Sequence, residues 1–211
     1  SDGGGPNIPV LLGAHALGIP NVVCMTGDHP KSGDHPEATP VFDLDGIQIL
    51  QAISMLSSGT DLGGNKLEGN PEIFAGGVVN PGAYDLDQEI RRMSEKIDAG
   101  AKFFQTQSVF DAAKFERFVN RVHDYNVPII AGHIMLKSAG MARRFNESLP
   151  GVKVPDEIIR ELSVAENRKK QSAKIMSRII KEIRPMCQGV HIMAIGWESE
   201  IPNALQFLQT Q

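Results

Sequence analysis

Short apolar segments alternate with amphipathic segments along most of this chain. The apolar segments cover residues 21–25, 72–79, 102–107, 127–132 and 189–195. Valine, isoleucine and phenylalanine often occupy adjacent positions within them, so the strands they form would be apolar on both faces, as buried parallel strands are. The pattern therefore predicts five buried strands of a parallel sheet.

The amphipathic segments predict helices between these strands. After Asp43, the predicted N-cap, apolar residues recur at positions 47, 50, 53 and 56, with positions 49, 52 and 55 widening the face. Asp85 or Asp87 is predicted to cap the next helix, and Asp111 the one after it. Further helices are predicted over residues 8–17, 139–145, 155–184 and 202–208.

This alternation of strands and helices indicates an α/β fold with a parallel sheet. Each strand ends in a polar or glycine-containing cluster, and in a (β/α)8 barrel such ends meet on the face where sites are built. A barrel needs eight strands, whereas an open doubly wound sheet could use five. However, the turn after the first strand is not G-x-G-x-x-G, and no acidic residue follows at the ribose position.

Composition excludes several classes of function. The chain has 211 residues, is 41% hydrophobic and carries a formal net charge of -4, which gives no electrostatic case for nucleic acid or an anionic membrane. No apolar run approaches the roughly 18–20 residues that span a bilayer. Cys24 and Cys187 lie in apolar settings and are expected to be small buried hydrophobes in a cytoplasmic protein.

Domain organisation is simple at this level. Residues 1–7 have no periodicity and are interpreted as a linker, a scar or the junction of a gap. Residues 8–211 are interpreted as one β/α domain.

The segment 21–30 holds the first candidate site. An apolar strand is followed by Gly27-Asp28-His29-Pro30, and the same tetrapeptide returns at residues 33–36. A strand that delivers a carboxylate to a Gly/Pro-rich loop suits a site, although Asp28 could also be a turn residue. A six-residue repeat does not guarantee convergent ligands, so no metal is predicted.

Other polar residues near strand ends are weaker candidates. Gln107 ends the third strand. His133 and His191 lie in apolar strands and are expected to be core or rim histidines. Trp197 either packs or stacks on a flat ring. The basic triplet 168–170 is expected to be a solvated helix face.

Five short motifs at these strand ends carry a family resemblance. They are Gly18-Ile-Pro-Asn-Val, Thr26-Gly-Asp-His-Pro, Asn80-Pro-Gly-Ala, Asp98-Ala-Gly-Ala with Gln105-Thr-Gln, and Gly189-Val-His-Ile-Met. With these motifs in this order, the chain resembles the methylenetetrahydrofolate reductase family. The form it resembles is the bacterial one found in the acetyl-CoA pathway. The resemblance implies a flavin-binding (β/α)8 (TIM) barrel, of which this sequence supplies about the last five β/α units.

The resemblance also implies an activity. Members use NADH or NADPH to reduce FAD, and the flavin then reduces 5,10-methylenetetrahydrofolate to 5-methyltetrahydrofolate in one-carbon metabolism and methionine biosynthesis. By position, Asp28 would be the catalytic residue near the flavin and the pterin, where its charge tunes the flavin and its oxygens bind pterin. Gln107 would bind the pterin. The positions that correspond to FAD contacts are Thr26, Gly27, Asp28, Asn80, Glu89, Lys96 and Ala101.

Departures from the family pattern set further expectations. Family members often have arginine at the position of Thr26, tyrosine at Gly76 and histidine at Asn80. No segment matches the first three barrel strands, which carry the family's general-acid glutamate. We therefore expect the natural polypeptide to be longer at its N-terminus by roughly 80–100 residues.

Three alternatives stay open beside the flavin-dependent reductase. One is a folate-binding protein without redox activity, another is a corrinoid-linked folate methyltransferase, and the last is an assembly subunit that docks a partner through residues 155–184. The expected partners are a tetrahydrofolate derivative and either further copies of the chain or redox subunits.

Overall fold

The computed structural model describes residues 8–26, 37 and 44–209, and the segment 27–30 with Gly27 and Asp28 lies outside them. The strands are β1 (Asn21–Cys24), β2 (Phe74–Val79), β3 (Phe104–Ser108), β4 (Ile129–Ile134) and β5 (Gly189–Met193). The helices are α1 (Ile8–Ala16), α2 (Gly46–Ser57), α3 (Leu86–Asp98), α4 (Ala112–Val122), α5 (Ala139–Ser148), α6 (Asp156–Ser163), α7 (Arg168–Ile183) and α8 (Ile201–Gln209). Short 3-10 turns follow α4 and α7 and precede α8.

The strands form one parallel sheet in chain order, β1-β2-β3-β4-β5, and a helix follows each strand. Consecutive parallel neighbours joined by helices are the repeating units of a (β/α)8 barrel. The predicted α/β class and the five barrel-type units are confirmed. Each predicted strand is found within one or two residues of its expected start and end.

The chain divides into two compact units, and the first comprises Ser1–Val78 with Arg91–Phe104. Within it β1 pairs with β2 in the register Asn21↔Phe74 to Cys24↔Gly77. Gly76 has no room for a side chain, because a Cβ there would overlap the ring of Phe103. The Phe103 ring also stacks on Phe74, with centroids 5.5 Å apart.

Helix α2 corrects one sequence prediction, because its N-cap is Asp45 and not Asp43. The Asp45 side chain accepts hydrogen bonds from the N–H groups of Ile47 and Gln48, and the Gln48 side chain accepts one from the Asp45 N–H. This reciprocal pair is a capping box, which needs partners three residues apart. Of the predicted apolar face, positions 50, 52, 53 and 56 are buried, whereas Met55 is exposed.

The second unit comprises Val79–Ile90 with Gln105–Gln211. Within it β4 pairs with β5 from Ile130↔Gly189 to Ile134↔Met193. Helices α7 and α8 cover this pair with a core that consists of Met135, Ala173, Met176, Ile180, Ala194 and Ala204. The first turn of α4 is capped by Asp111, as predicted, through a 2.9 Å hydrogen bond from the Lys114 N–H.

The predicted continuous helix over 155–184 is wrong, since two helices, α6 and α7, occupy this stretch. The break falls at residues 164–167, where Asn167 begins α7 by accepting a hydrogen bond from the Lys170 N–H at 3.0 Å. A salt bridge of 2.6 Å between Glu161 and Arg178 joins the two helices. Because the apolar period continues across the break, periodicity alone does not reveal it.

No helix in the described part of the chain is both long and apolar enough to cross a bilayer.

Candidate functional site

Thr26 follows β1, and its hydroxyl lies at the start of α2. Its Oγ1 accepts a hydrogen bond from the Gly46 N–H at 3.1 Å, while Asp45 accepts from the next two amides. The first three N–H groups of α2 therefore all have acceptors within the protein. The helix start is closed to an outside anion unless Thr26 or Asp45 turns away.

Lys96 and Ala101 lie where α3 returns to the sheet. Lys96 is only 9% exposed, and its Nζ donates to the Val78 carbonyl at the end of β2, at 2.6 Å. Ala101 is buried, and its N–H donates to the Lys96 carbonyl, which closes the helix end. The structure thus places the buried Lys96 ammonium beside the carboxyl end of β2. The pyrophosphate contact predicted for Lys96 stays a prediction.

Asn80 and Glu89, both predicted FAD contacts, come together in the second unit. Glu89 Oε1 accepts from the Asn80 N–H at 2.8 Å. The Asn80 side chain accepts from the Gly82 N–H at 3.1 Å and donates to the Pro150 carbonyl at 3.0 Å. Both ends of the Asn80 amide are therefore engaged within the protein, where they hold the loop after β2 against the loop at 150–151.

Gln107 presents an exposed side chain from a fixed backbone. The hydroxyl of the preceding Thr106 donates to the Gln107 carbonyl at 2.7 Å and accepts from the Gly132 N–H at 2.9 Å. Gly132 permits this approach, because a Cβ there would overlap the Thr106 carbonyl. The Gln107 amide makes one long hydrogen bond, 3.3 Å from the Ser108 N–H. This geometry presents an exposed side-chain amide from a fixed backbone at the carboxyl end of β3.

His133 near the end of β4 is a core histidine, as expected. It is 1% exposed, its Nδ1–H donates to the Val109 carbonyl at 3.1 Å, and the Phe110 ring meets it edge-on. Burial lowers the pKa of His133 to about 4, because the imidazolium would lose its hydration. A neutral, enclosed imidazole is a poor proton donor near neutral pH.

The end of β5 holds a cluster that sequence reasoning found only in part. Trp197 is a predicted candidate, and Lys137 and Lys169 place their ammonium groups 5.7 and 5.9 Å from its ring centroid. The basic triplet 168–170 is exposed, as predicted, and its Lys169 also pairs with Glu200 at 3.2 Å. Ile195 has a left-handed φ of 49°, which is rare for a β-branched residue. Lys137 was not among the predicted candidates, although its position just after a strand could have marked it as one.

Glu198 in the same loop is an ionised carboxylate. Its Oε1 accepts from the Gly196 N–H at 2.8 Å. Hydrogen bonds from its own backbone N–H and that of Gly196, together with the charge of Lys137, lower its pKa. His133 lies near the end of β4 and Glu198 lies after β5, and neither is suited to donate a proton near neutral pH.

Metal binding has no support from side-chain clustering in the described ranges. No group of three His, Cys, Asp or Glu side chains there could hold an ion. The two histidines of the repeated tetrapeptide lie outside these ranges.

Comparison with known proteins identifies the family. The sequence model of methylenetetrahydrofolate reductase matches residues 9–209. Methylenetetrahydrofolate reductase 2 of Schizosaccharomyces pombe is 23% identical over an alignment of 211 positions. This alignment covers 92% of this chain and 32% of that protein. Methylenetetrahydrofolate reductase (NADH) 1 of Arabidopsis thaliana is 32% identical over an alignment of 142 positions. This alignment covers 60% of this chain and 23% of that protein. The chain thus spans at most about a third of these relatives' length.

One solved structure is also similar. It is an uncharacterized protein from Clostridium thermocellum that binds two copies of 5-methyl-5,6,7,8-tetrahydrofolic acid, with a TM-score of 0.46 and 15% identity over 95% of this chain and 85% of that chain. This TM-score is too low to establish a shared fold. The match to the reductase sequence model, by contrast, runs through all five β/α units. The chain belongs to the methylenetetrahydrofolate reductase family.

Proposed function

We propose that this chain forms part of the folate and flavin site of a reductase that converts 5,10-methylenetetrahydrofolate to 5-methyltetrahydrofolate. The observation that supports the proposal is the family match over residues 9–209. The parallel β/α units agree with it, because barrels of this kind place their sites at the carboxyl ends of the strands. The proposed setting is the cytoplasm, and the proposed assembly is a homo-oligomer or a complex with redox subunits.

Gln107 and Asp28 carry the proposed folate recognition. The Gln107 amide offers both a donor and an acceptor, which matches the donor–acceptor edge of a pterin. Its exposed side chain on a backbone fixed by Thr106 suits a ligand contact that needs little reorganisation. Asp28 is proposed as the catalytic residue whose carboxylate orients the pterin, in the segment outside the described residues.

The described residues fit FAD in part. Lys96 supplies a positive charge at the end of β2, and Thr26 a hydroxyl after β1, which suit the phosphates and the ring edge. Asn80 and Glu89 would contribute through the loop that they hold. FAD, when bound and reduced by NADH or NADPH, would supply the hydride that the folate receives.

A visible absorbance spectrum, followed by a turnover assay, tests the reductase. Purified protein that is incubated with FAD and then freed of unbound FAD by desalting should absorb near 450 nm, a property of oxidised flavin, and should oxidise 5-methyltetrahydrofolate with an artificial acceptor. Gln107→Ala should lower that rate, whereas Gln51→Ala, an exposed glutamine on α2, should not. A colourless protein that turns over no folate would contradict the reductase.

A folate-binding protein without redox activity is the second candidate. Two observations favour it: the Asn80 amide is engaged at both ends, and Phe103 fills the space beside Gly76, where the family resemblance implies a tyrosine contact to the flavin. This candidate predicts saturable binding of 5-methyltetrahydrofolate, measured by calorimetry, in a protein that takes up no FAD.

A further inference from the structure

His191 on β5 faces away from the helices that cover the β4–β5 pair. Its neighbours along the strand, Val190 and Ile192, pack against the core that α7 and α8 complete. Because successive side chains of a strand point to opposite faces, the His191 imidazole lies on the other face of this pair. It is half-buried there, so His191 is a rim histidine on the face opposite α7 and α8.

The two ring nitrogens of His191 have different surroundings. Nδ1 is enclosed by the protein and has no hydrogen-bond partner among the described residues. Nε2 is not enclosed in this way, and it too forms no hydrogen bond with a described residue. In a neutral imidazole one nitrogen carries the proton and the other accepts. An enclosed N–H without an acceptor is rarer in proteins than an unpaired acceptor, so the proton, and with it a hydrogen-bond donor, belongs on Nε2.

Gly132 leaves an open position beside His191. The two residues are direct partners in the parallel β4–β5 ladder, so a side chain at position 132 would fall on the same face as the imidazole. On its other side Gly132 lies so close to β3 that a Cβ would overlap the Thr106 carbonyl and lie 3.3 Å from that of Gln107. Gly132 therefore separates His191 from Gln107 by two strand spacings, about 10 Å.

The positions above and below this gap are mostly apolar. Ile134 pairs with Met193 towards the carboxyl ends of the strands, and Ile130 pairs with Gly189 towards their amino ends. The two isoleucines and the methionine are half-buried, so they form an apolar surface that a ligand can still reach. A largely apolar surface with a few placed polar groups is typical of small-molecule sites.

We propose that His191 is a second ligand-contacting residue of the folate site, which donates from Nε2 to an acceptor of the pterin while the ring lies over Gly132. The identity of the ligand rests on the proposed function. The spacing of His191, Gly132 and Gln107 suits a flat group with a hydrogen-bond acceptor at the edge that faces β5. A pterin meets both conditions, because its pyrimidine part is flat and bears a carbonyl oxygen. The Gln107 amide then holds the opposite edge.

Calorimetric titration with 5-methyltetrahydrofolate tests this contact. His191→Leu, which removes the donor, should weaken the affinity about tenfold, the scale of one hydrogen bond in a ligand site. His191→Gln should stay within about threefold of the wild type, because its amide nitrogen can take the place of Nε2. His123→Leu, at an exposed histidine after α4, is the matched control and should bind as the wild type does.

The same variants separate binding from folding. Since neither ring nitrogen bonds a described residue, His191→Leu loses no hydrogen bond within that part of the chain. Its melting temperature should therefore stay within about 3 °C of the wild type. A weaker affinity at unchanged stability, restored by glutamine, cannot come from a packing role of the imidazole.

Nuclear magnetic resonance gives a second readout that a packing role would not move. Long-range 1H–15N spectra at pH 8 distinguish the two tautomers, and the His191 signals are those that disappear in His191→Gln. They should show the proton on Nε2, and the Nε2 signal should shift on addition of 5-methyltetrahydrofolate, whereas the His123 signals should not. A proton on Nδ1, or an Nε2 signal unmoved at saturating folate, would overturn the assignment.

Failure of this contact differs from failure of the proposed function. The contact is disproved if His191→Leu binds folate as the control does while Gln107→Ala binds it weakly, and the proposed function then stands. A wild type that binds no 5-methyltetrahydrofolate contradicts the proposed function, and the His191 contact falls with it. The first failure is measured in a variant and the second in the wild type.

Discussion

The carboxylate of Glu89 on α3 accepts a hydrogen bond from the backbone N–H of Asn80 after β2, at 2.8 Å. This bond ties the helix start to the loop that Asn80 in turn fastens to Pro150. Residues that were expected to touch a cofactor therefore also build the loop.

Glu89→Ala should lower the free energy of unfolding by about 1–2 kcal/mol, because the Asn80 N–H loses a charged acceptor. Glu89→Gln keeps an acceptor oxygen and should lose less than half as much. Glu95→Ala, an exposed acid farther along α3, serves as the control in urea denaturation. Equal stability of Glu89→Ala and Glu95→Ala would show that the hydrogen bond makes no net contribution to the free energy of unfolding.

Gln107→Ala should weaken binding of 5-methyltetrahydrofolate about tenfold, the scale of one lost hydrogen-bonding pair in a ligand site. Since the side chain is exposed and makes one long hydrogen bond, the free energy of unfolding should change by less than about 0.5 kcal/mol. Calorimetric titration measures the affinity, and urea denaturation the stability. Unchanged folate affinity would remove Gln107 from the site.

Stability should fall as the pH falls through the range between about 6.5 and 4, because of His133. Its pKa is about 4 in the folded protein and 6.5 when exposed, so the unfolded chain binds more protons in this window. The contribution is fully present above pH 6.5 and amounts to about 3 kcal/mol once lost.

His133→Asn should remove this slope, because the amide can still donate to the Val109 carbonyl but does not titrate. Urea denaturation of both proteins between pH 4 and 8 provides the measurement. The two curves should run parallel above pH 7 and diverge below 6.5. Parallel curves throughout would mean that the imidazole is hydrated in solution.

Cys24 should resist alkylation in the native protein. Burial raises the pKa of its thiol to about 11, so almost no reactive thiolate is present at pH 8. Cys187, which is half-buried, has a pKa raised by the same cause and should react sooner because reagents reach it. Mass spectrometry after iodoacetamide treatment, with and without urea, measures both. Rapid native labelling of Cys24 would contradict its burial.

Two buried serines should respond oppositely to removal of their hydroxyls. Ser108→Ala should leave the free energy of unfolding unchanged or raise it by about 1 kcal/mol, since the hydroxyl has no partner among the described residues. Ser177→Ala should lower it by about 1 kcal/mol, because the single proton of that hydroxyl is shared between the carbonyls of Ala173 and Ala204. Destabilisation by Ser108→Ala would reveal a hydrogen-bond partner that the structure does not show.

Local rules in the sequence predicted much of the fold. Strand positions followed from apolar runs, and the cap at Asp111 from a short-range hydrogen bond to the amide three residues ahead. For α3 the sequence left Asp85 and Asp87 open, and in the structure Asp85 accepts from the Gln88 N–H. The same rules misplaced the cap of α2, because Asp43 and Asp45 are both suitable and only Gln48 completes a capping box with the second. They also missed the break before Asn167, where the apolar period continues.

The candidate site was predicted as a set of positions but not as a set of contacts. Gln107 was expected to present an amide, and it is exposed at the end of β3. Asp28 stays a prediction, because it lies outside the described residues. Ser108 was not singled out, since nothing in the sequence marks a serine whose hydroxyl will be buried without a partner.

The sequence by itself determined the family, the α/β class and the positions of the strands, because hydrophobic period and strand-end motifs act over a few residues. The tertiary structure decided which polar groups are satisfied. Asn80 and Pro150 are 70 residues apart, yet one hydrogen bond joins them. Whether an amide, an ammonium or a hydroxyl is left available depends on such distant partners, and these exist only once the chain has folded.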